Sequence, residues 1–581
     1  MLILSWRKWT GLLTDAGREL YVPWRLSEGE ILYFDVVHLF GPLSQYVNAM
    51  AYAVFGTQLL SIVGVNLAVA SALTMIVYRF FLATTDRVGA VATAATFLSV
   101  FFASQYGRYG NFSFVFPYSH ELTHGIFLSF AGLLCFTAYL RVRRLHWLLG
   151  LGVCFGLVAL TKVEVFAACA TAFGGGFTLM AIVEWPNRRR WLASLLVVCF
   201  VGALPVAGFV LYFVAHSSLR EAIEMILLPY MAVLNSSLSD NLYYQWVSGF
   251  DAPFANSIRM VVSAAAYLGF IVGLWALARH RQRISSARRW LVTATCIGAG
   301  VSTLALVFSH RLTDSAYGFP ILLVAFGGVL LRGLFQSRSR IAEAKTLVPL
   351  IVLTAFAFVL LGKIVLRVTV WHYGFALAMP AALIVVAFMT SLLPRVLGAR
   401  YGGESVLRFA GVTIVGIVVA LHVMLARDVY AERTLEVGSG EDVIVAWDAK
   451  VSDRGPRVRA ILESIGKMLN DDDTFVVFPE GVMLNYLVRK ENPSAYIDFT
   501  PHLIVGLGED EMLDSVRRGE PDWVILLESD TTAFGSQYFG VDYAQKLMGW
   551  VKENYEPVAR LALAGDQGAF GVILKRGEAA R

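Results

Sequence analysis

Residues 120–164 decide how this chain is read. His120–Leu140 runs HELTHGIFLSFAGLLCFTAYL, Arg141-Val142-Arg143-Arg144 interrupts it, Leu145–Leu160 runs LHWLLGLGVCFGLVAL, and Thr161-Lys162-Val163-Glu164 closes the second run. Two apolar stretches of membrane-crossing length, joined by a short loop of three arginines, read as a transmembrane hairpin with a cytoplasmic turn.

The same grammar extends along most of the chain. Apolar runs recur at 57–82, 88–104, 120–139, 146–161, 165–183, 191–214, 257–278, 290–308, 315–331, 346–362, 370–392 and 405–426, about twelve spans. Arginine clusters fall in every second loop. They are Arg141, Arg143 and Arg144; Arg188–Arg190; Arg279, Arg281, Arg283, Arg288 and Arg289; Arg338, Arg340 and Lys345; and Arg395 with Arg400. All lie on one side of the twelve-span arrangement, the cytoplasmic side. The basic balance of +5 therefore marks a membrane face rather than a nucleic-acid partner.

Composition agrees. Of 581 residues, 57% are hydrophobic and only 16% charged, with a mean hydropathy of +0.63. A disordered chain, a coiled coil and an ordinary soluble enzyme are excluded. The five cysteines, Cys135, Cys154, Cys169, Cys199 and Cys296, all sit in apolar runs, which speaks for helix packing rather than disulfides or a zinc site. Met1–Leu13 has too short an apolar stretch for a signal peptide.

The spans define a membrane domain over 1–426 whose first outer loop is 1–56. Residues 427–581 have ordinary charge density and read as one small extracytoplasmic α/β domain. Its expected strands are Thr474–Phe478, Trp523–Leu527 and Gly571–Leu574. Its expected helices are Arg457–Leu469, Glu509–Arg517 and Tyr543–Glu553. Asn470–Asp473 reads as a solvated turn, since an EF-hand loop would spread its ligands over about twelve residues.

The outer loops hold the residues suited to chemistry. In the first, Asp15 and Arg18 put a carboxylate beside a cation at the membrane surface, a candidate base or cation holder. A purely structural alternative is an interfacial helix, Arg18–Glu28, capped by Asp15. In the second, His120 and His124 share a helix face, and His120 with Glu121 is a candidate divalent-metal pair. His120–His124 also satisfies the bare HExxH string, but it opens a membrane span and lacks a third ligand downstream. Lys162 is expected at the outer interface, meeting a lipid phosphate or pairing with Glu164. Beside Trp371 and Tyr373, which read as an aromatic belt, His372 is a candidate polar contact.

These segments together resemble a known family. Asp15-x-Gly17-Arg18-Glu19, Gly29-x-x-Leu32-Tyr33-x-Asp35, Gly41-Pro42-Leu43 and Phe55-Gly56 are similar to the first periplasmic loop of bacterial GT-C glycosyltransferases, relatives of protein O-mannosyltransferases and of the lipid A aminoarabinose transferase. Leu160-Thr161-Lys162-Val163-Glu164 resembles the family's Leu-Thr-Lys-Pro segment, with valine for proline. Pro479-Glu480-Gly481-x-Met483-Leu484-Asn485-Tyr486-Leu487 resembles the outer domain of bacterial members.

The resemblance implies a mainly α, polytopic GT-C-type bundle with a small outer domain, in the bacterial inner membrane. It implies transfer of a sugar from a polyprenyl-phosphate donor to a hydroxyl of a glycan, lipid or protein acceptor, with inversion. Asp15 would be the base and Glu121 the second catalytic acid, which would help bind the acceptor or, with His120, a divalent metal. Arg18 and Lys162 would hold the donor phosphate, and Asp35 matches a recurrent position. No Gly-rich phosphate loop appears, so no nucleotide cofactor is expected.

Family members carry a span ahead of the catalytic loop, whereas here fourteen residues precede Asp15. That predicts a first span encoded upstream of Met1. The competing class, a transporter or flippase of lipid-linked sugars, calls for mid-span charges and internal repeats. Neither is visible, as charges cluster at span ends. A glycan-binding sensor is a third reading, and it would not need Asp15 or Lys162.

Overall fold

The computed structural model describes residues 1–13, 15–108, 110–235, 238, 241–280, 294, 298, 312–336, 341–563 and 568–577. Among these, nine helices are long and apolar enough to cross a membrane, and two shorter apolar helices, Arg87–Phe102 and Leu145–Ala159, pack among them. The expected spans coincide with these helices to within several residues. The span at 290–308 lies outside the described residues except for Ala294 and Gly298, and Cys296, Arg281, Arg283, Arg288, Arg289, Arg338 and Arg340 lie outside them as well. One expected span shortens at its start: 370–373 is a turn, and helix begins at Gly374.

The first loop, residues 1–56, is more structured than its composition indicates. It contains two helices, Ala16–Ser27 and Leu43–Phe55. The first replaces the expected Arg18–Glu28 and is no interfacial float. Leu20, Tyr21, Val22 and Trp24 are all buried, in a core shared with Met483 and Tyr486 of the C-terminal domain. Asp15 occupies the N-cap position but its side chain makes no capping hydrogen bond, which corrects the expected cap. The loop 215–256 likewise carries the helices Leu219–Leu234 and Leu242–Ser248.

The C-terminal domain follows the long helix Glu404–Ala431. A hairpin of β1 (Arg433–Val437) and β2 (Ile444–Trp447), absent from the sequence reading, leads into it. The main sheet comprises β3 (Phe475–Phe478), β4 (Trp523–Leu527), β5 (Tyr555–Ala562) and β6 (Ala569–Arg576), in the order β3-β4-β6-β5. Only β3 and β4 run parallel.

Alternation explains why β3 and β4 read as unbroken apolar runs. Phe475, Val477, Trp523 and Ile525 face the helix Arg454–Met468 through Val458, Ile461 and Ile465. Val476, Phe478 and Val524 face the opposite layer, where Met512, Val516, Leu547 and Val551 come from the helices Glu509–Gly519 and Gln545–Asn554. Both faces are covered, so both must be apolar. The Asn470–Asp473 segment is a turn in which Asp473 accepts from the Asn470 amide at 2.8 Å and from the Trp523 indole at 2.9 Å.

The first loop and the C-terminal domain are stapled together. The Val37 amide donates to the Ala495 carbonyl at 2.8 Å. The Asn492 amide donates to the Tyr21 hydroxyl at 2.9 Å. Gly17 permits the closest approach: a Cβ there would stand 2.5 Å from the Met483 amide nitrogen. Gly17→Ala is therefore expected to loosen this docking by about 1–3 kcal/mol. A thermal unfolding midpoint in detergent equal to that of wild type would count against this packing.

Candidate active site

A cavity of about 1820 Å³ lies where the membrane helices meet the C-terminal domain. The first loop supplies Asp15 and Arg18 to its wall, the membrane helices supply Lys162 and Lys363, and the C-terminal domain supplies Glu480 and Asp498. A volume of this size with converging charged groups is the default place to look for chemistry.

Asp15 is held in a left-handed backbone conformation, φ 25°, uncommon for any residue with a side chain. Strain of this sort persists only where surrounding packing imposes it. Its carboxylate keeps 38% of its side-chain surface open to the cavity and lies 3.5 Å from the Arg18 guanidinium. Enclosure between two domains still separates it from bulk water. That burial raises its pKa above the ordinary value; Arg18 and Lys162 oppose the shift, while Glu19 and Asp498 add to it.

Arg18 is fixed from three directions. It donates to the Tyr118 carbonyl at 2.8 Å and to Glu19 at 3.1 Å, and it lies over the Phe40 ring. Burial alone would lower its pKa, but Glu19, Asp15 and Glu121 more than offset this, so it stays charged. Lys162 is 3% exposed. Its ammonium donates to the Tyr118 hydroxyl at 3.1 Å and sits over the Phe40 and Tyr118 rings at 4.3 and 4.5 Å. Burial pushes it down to about 8, against the pull of Glu164 and with help from Lys363. The expected Lys162–Glu164 pair is loose, at 3.9 Å. Glu164 instead pairs closely with Lys363, at 2.9 Å, so the 3.9 Å contact is the one ion pair Lys162 makes among the described residues.

The acids and histidines of the second loop go elsewhere. Glu121 is fully buried, accepting from His38 at 3.0 Å, Gln45 at 2.8 Å and Ser119 at 2.7 Å. His120 uses both ring nitrogens, on Glu19 at 2.5 Å and Asn66 at 3.0 Å. Neither residue lines the cavity. The expected metal pair is corrected on this ground: neighbouring helix positions point about 100° apart, and these polar atoms already have other partners. Among the described residues, no three His, Cys, Asp or Glu side chains are placed to hold one ion.

Asp35 is exposed and closes a local turn by accepting from the Ile31 amide at 2.7 Å, away from the cavity. His372 does line it, contacting the Tyr243 hydroxyl at 3.2 Å and lying 4.5 Å from the Phe112 ring. Burial, then Lys363, pushes His372 down to about 3, so it is neutral.

Sequence reasoning missed Glu480, Asp498 and Lys363. Glu480 and Asp498 are joined by an isolated antiparallel bridge. Burial, with Asp498 and Asp15 adding, pushes Glu480 up to about 8, so it carries a proton at neutral pH. Lys363 had a legible signal, as the one charge at the outer end of the run 346–366.

In comparisons with solved structures, the chain is similar to ArnT from Cupriavidus metallidurans bound to undecaprenyl phosphate. The identity is 12%, over 98% of this chain and 95% of that one, with a TM-score of 0.46. It is also similar to the Archaeoglobus fulgidus oligosaccharyltransferase in complex with Zn and sulfate, at 13% identity over 90% of this chain and 65% of that one, with a TM-score of 0.47. The archaeal oligosaccharyltransferase AglB from Archaeoglobus fulgidus, in complex with an inhibitory peptide and a dolichol-phosphate, matches at 12% identity over 99% and 71%, with a TM-score of 0.45. No protein-family model and no curated protein matches the chain.

Proposed function

We propose that this chain is a membrane glycosyltransferase of the bacterial inner membrane, moving a sugar from a polyprenyl-phosphate donor to an acceptor hydroxyl at the extracytoplasmic face. The observation that carries the reading is Asp15: a strained, cavity-facing carboxylate flanked by the fixed cations Arg18 and Lys162. A base and an oxyanion clamp are the two parts a single displacement of a phosphate leaving group needs.

In this mechanism the acceptor hydroxyl sits against Asp15. Its oxygen attacks the anomeric carbon as its proton passes to the Asp15 carboxylate. The bond from that carbon to the phosphate oxygen breaks, and the polyprenyl phosphate leaves with the electron pair. One displacement inverts the anomeric centre. Lys162 and Arg18 neutralise the charge that grows on the phosphate. Ala167 of the helix Val163–Val183 and Val359 of the helix Ile341–Leu360 give the cavity an apolar wall for the first part of the polyprenyl chain. Glu121, through His38 on the cavity wall, acts as a positioning residue. The arginine-rich loops lie at the far ends of the spans, which supports an outer-face position for the cavity.

Sugar release from radiolabelled polyprenyl-phosphate sugars, by the purified protein in liposomes, tests this reading. Failure to bind or turn over any such donor would sink it. A pH profile adds a sharper check. Lys162 is charged below about pH 8 and loses its proton above it, so donor binding is expected to weaken as pH rises through 8. Lys162→Arg keeps its charge there and should hold a larger share of its own neutral-pH activity at alkaline pH. Parallel alkaline limbs in the two proteins would remove Lys162 from the phosphate site.

A further inference from the structure

One part of the same cavity is lined by residues with buried, unpartnered hydrogen-bonding groups. At its centre is Arg433, the first residue of β1, paired across the hairpin with Trp447. The guanidinium lies 3.8 Å over the Trp447 ring and is 1% exposed. It donates to the Lys8 carbonyl, to the Thr10 carbonyl at 3.4 Å and to the Gln105 side-chain oxygen at 2.8 Å. Its Nε has no partner. No carboxylate among the described residues forms an ion pair with it. Burial pulls its pKa to about 10, so it remains cationic at neutral pH.

Its neighbours repeat the pattern. Thr10 Oγ1, Asn111 Nδ2 and Trp447 Nε1 are buried with no hydrogen-bond partner, on residues 2%, 3% and 8% exposed. All of these side chains line the cavity. The helix Arg454–Met468 also begins here, with Gly455 against the Trp447 carbonyl. Its first turn holds Arg454 and Arg457 and no acid. A helix N-terminus carries positive partial charge, and the N-cap residue Asp453 places a carboxylate beside it. Arg457 is paired with Asp453 at 2.7 Å, and Arg454 reaches the field of Glu480.

A buried cation and several buried donors, each costly when unsatisfied, cluster on residues that border one cavity. We infer that this lobe binds a phosphate-type oxyanion carried by the acceptor, in contact with Arg433, Trp447, Asn111 and Arg457. The inference rests on Asp15 being where the acceptor hydroxyl is activated. Thr10, Gly11, Leu12, Leu13 and Asp15 all line the cavity. Five residues span at most about 18 Å, which bounds how far Thr10 can lie from Asp15.

The test is a phosphorus-NMR titration of inorganic phosphate against the full chain in detergent, with chloride at equal ionic strength as the control. Saturable broadening is expected. Trp447→Phe keeps the ring and deletes the donor, and Arg457→Gln removes an outer charge; each should weaken phosphate binding about tenfold. Arg433→Gln is less useful alone, because that side chain also ties down the Lys8–Thr10 backbone. Lys162→Met should leave the lobe's titration in place. A response that is not saturable, or one lost in Lys162→Met and unchanged in both Trp447→Phe and Arg457→Gln, overturns the inference. No donor or turnover enters this measurement, so an inactive enzyme with intact phosphate binding would count against the transferase reading alone.

Discussion

Asp15→Asn is expected to reduce sugar transfer by about 10³-fold while leaving the fold and donor binding intact. Asparagine has the same shape but cannot accept the acceptor's proton. The native side chain caps no helix, and its one close ion pair is the 3.5 Å contact with Arg18, so little structure depends on its charge. Arg18 keeps its contacts to Tyr118 and Glu19 without it. The base must be ionised to act. Because burial raises its pKa, the acid limb of activity should lie above the range of an ordinary aspartate and vanish with the residual activity of Asp15→Asn. Transfer near the wild-type rate in this variant would refute the base assignment. Loss of donor binding together with transfer would point to a structural role.

Lys162→Met should cost about 10²-fold in turnover and weaken donor binding as well. Methionine can fill the slot between Phe40 and Tyr118 but supplies no charge to a departing phosphate. The fold should tolerate it. Glu164 draws its close partner from Lys363 at 2.9 Å, and the longer Lys162 contact at 3.9 Å is secondary. Deleting a buried ammonium also removes a desolvation cost, so thermal stability should be unchanged or slightly higher. A stability loss with normal kcat would assign Lys162 to packing and leave the phosphate to Arg18.

The sequence by itself determined the membrane helices, the side on which arginine accumulates and three strands of the C-terminal domain, β3, β4 and the middle of β6, but not β1, β2 or β5. Each is written in local hydropathy: about twenty apolar residues for a span, and short apolar runs for strands covered on both faces. It also singled out Asp15, Arg18 and Lys162 as candidates, through short segments that hold a charge at a membrane surface.

Only the tertiary structure decided which of these share one volume. Glu121 and His120 look alike to a sequence reader, yet their neighbouring helix positions send them to His38 and to Glu19, away from the cavity. Asp35 spends its carboxylate on its own turn. Glu480 and Asp498 reach the Asp15 cavity because Gly17 lets the first helix press against Met483, more than 460 residues along the chain. The partnerless donors around Arg433 depend on the pairing of a hairpin with a distant N-terminal strand of chain. Hydropathy and propensity act over a few residues, whereas a site is set by which distant surfaces bury one another.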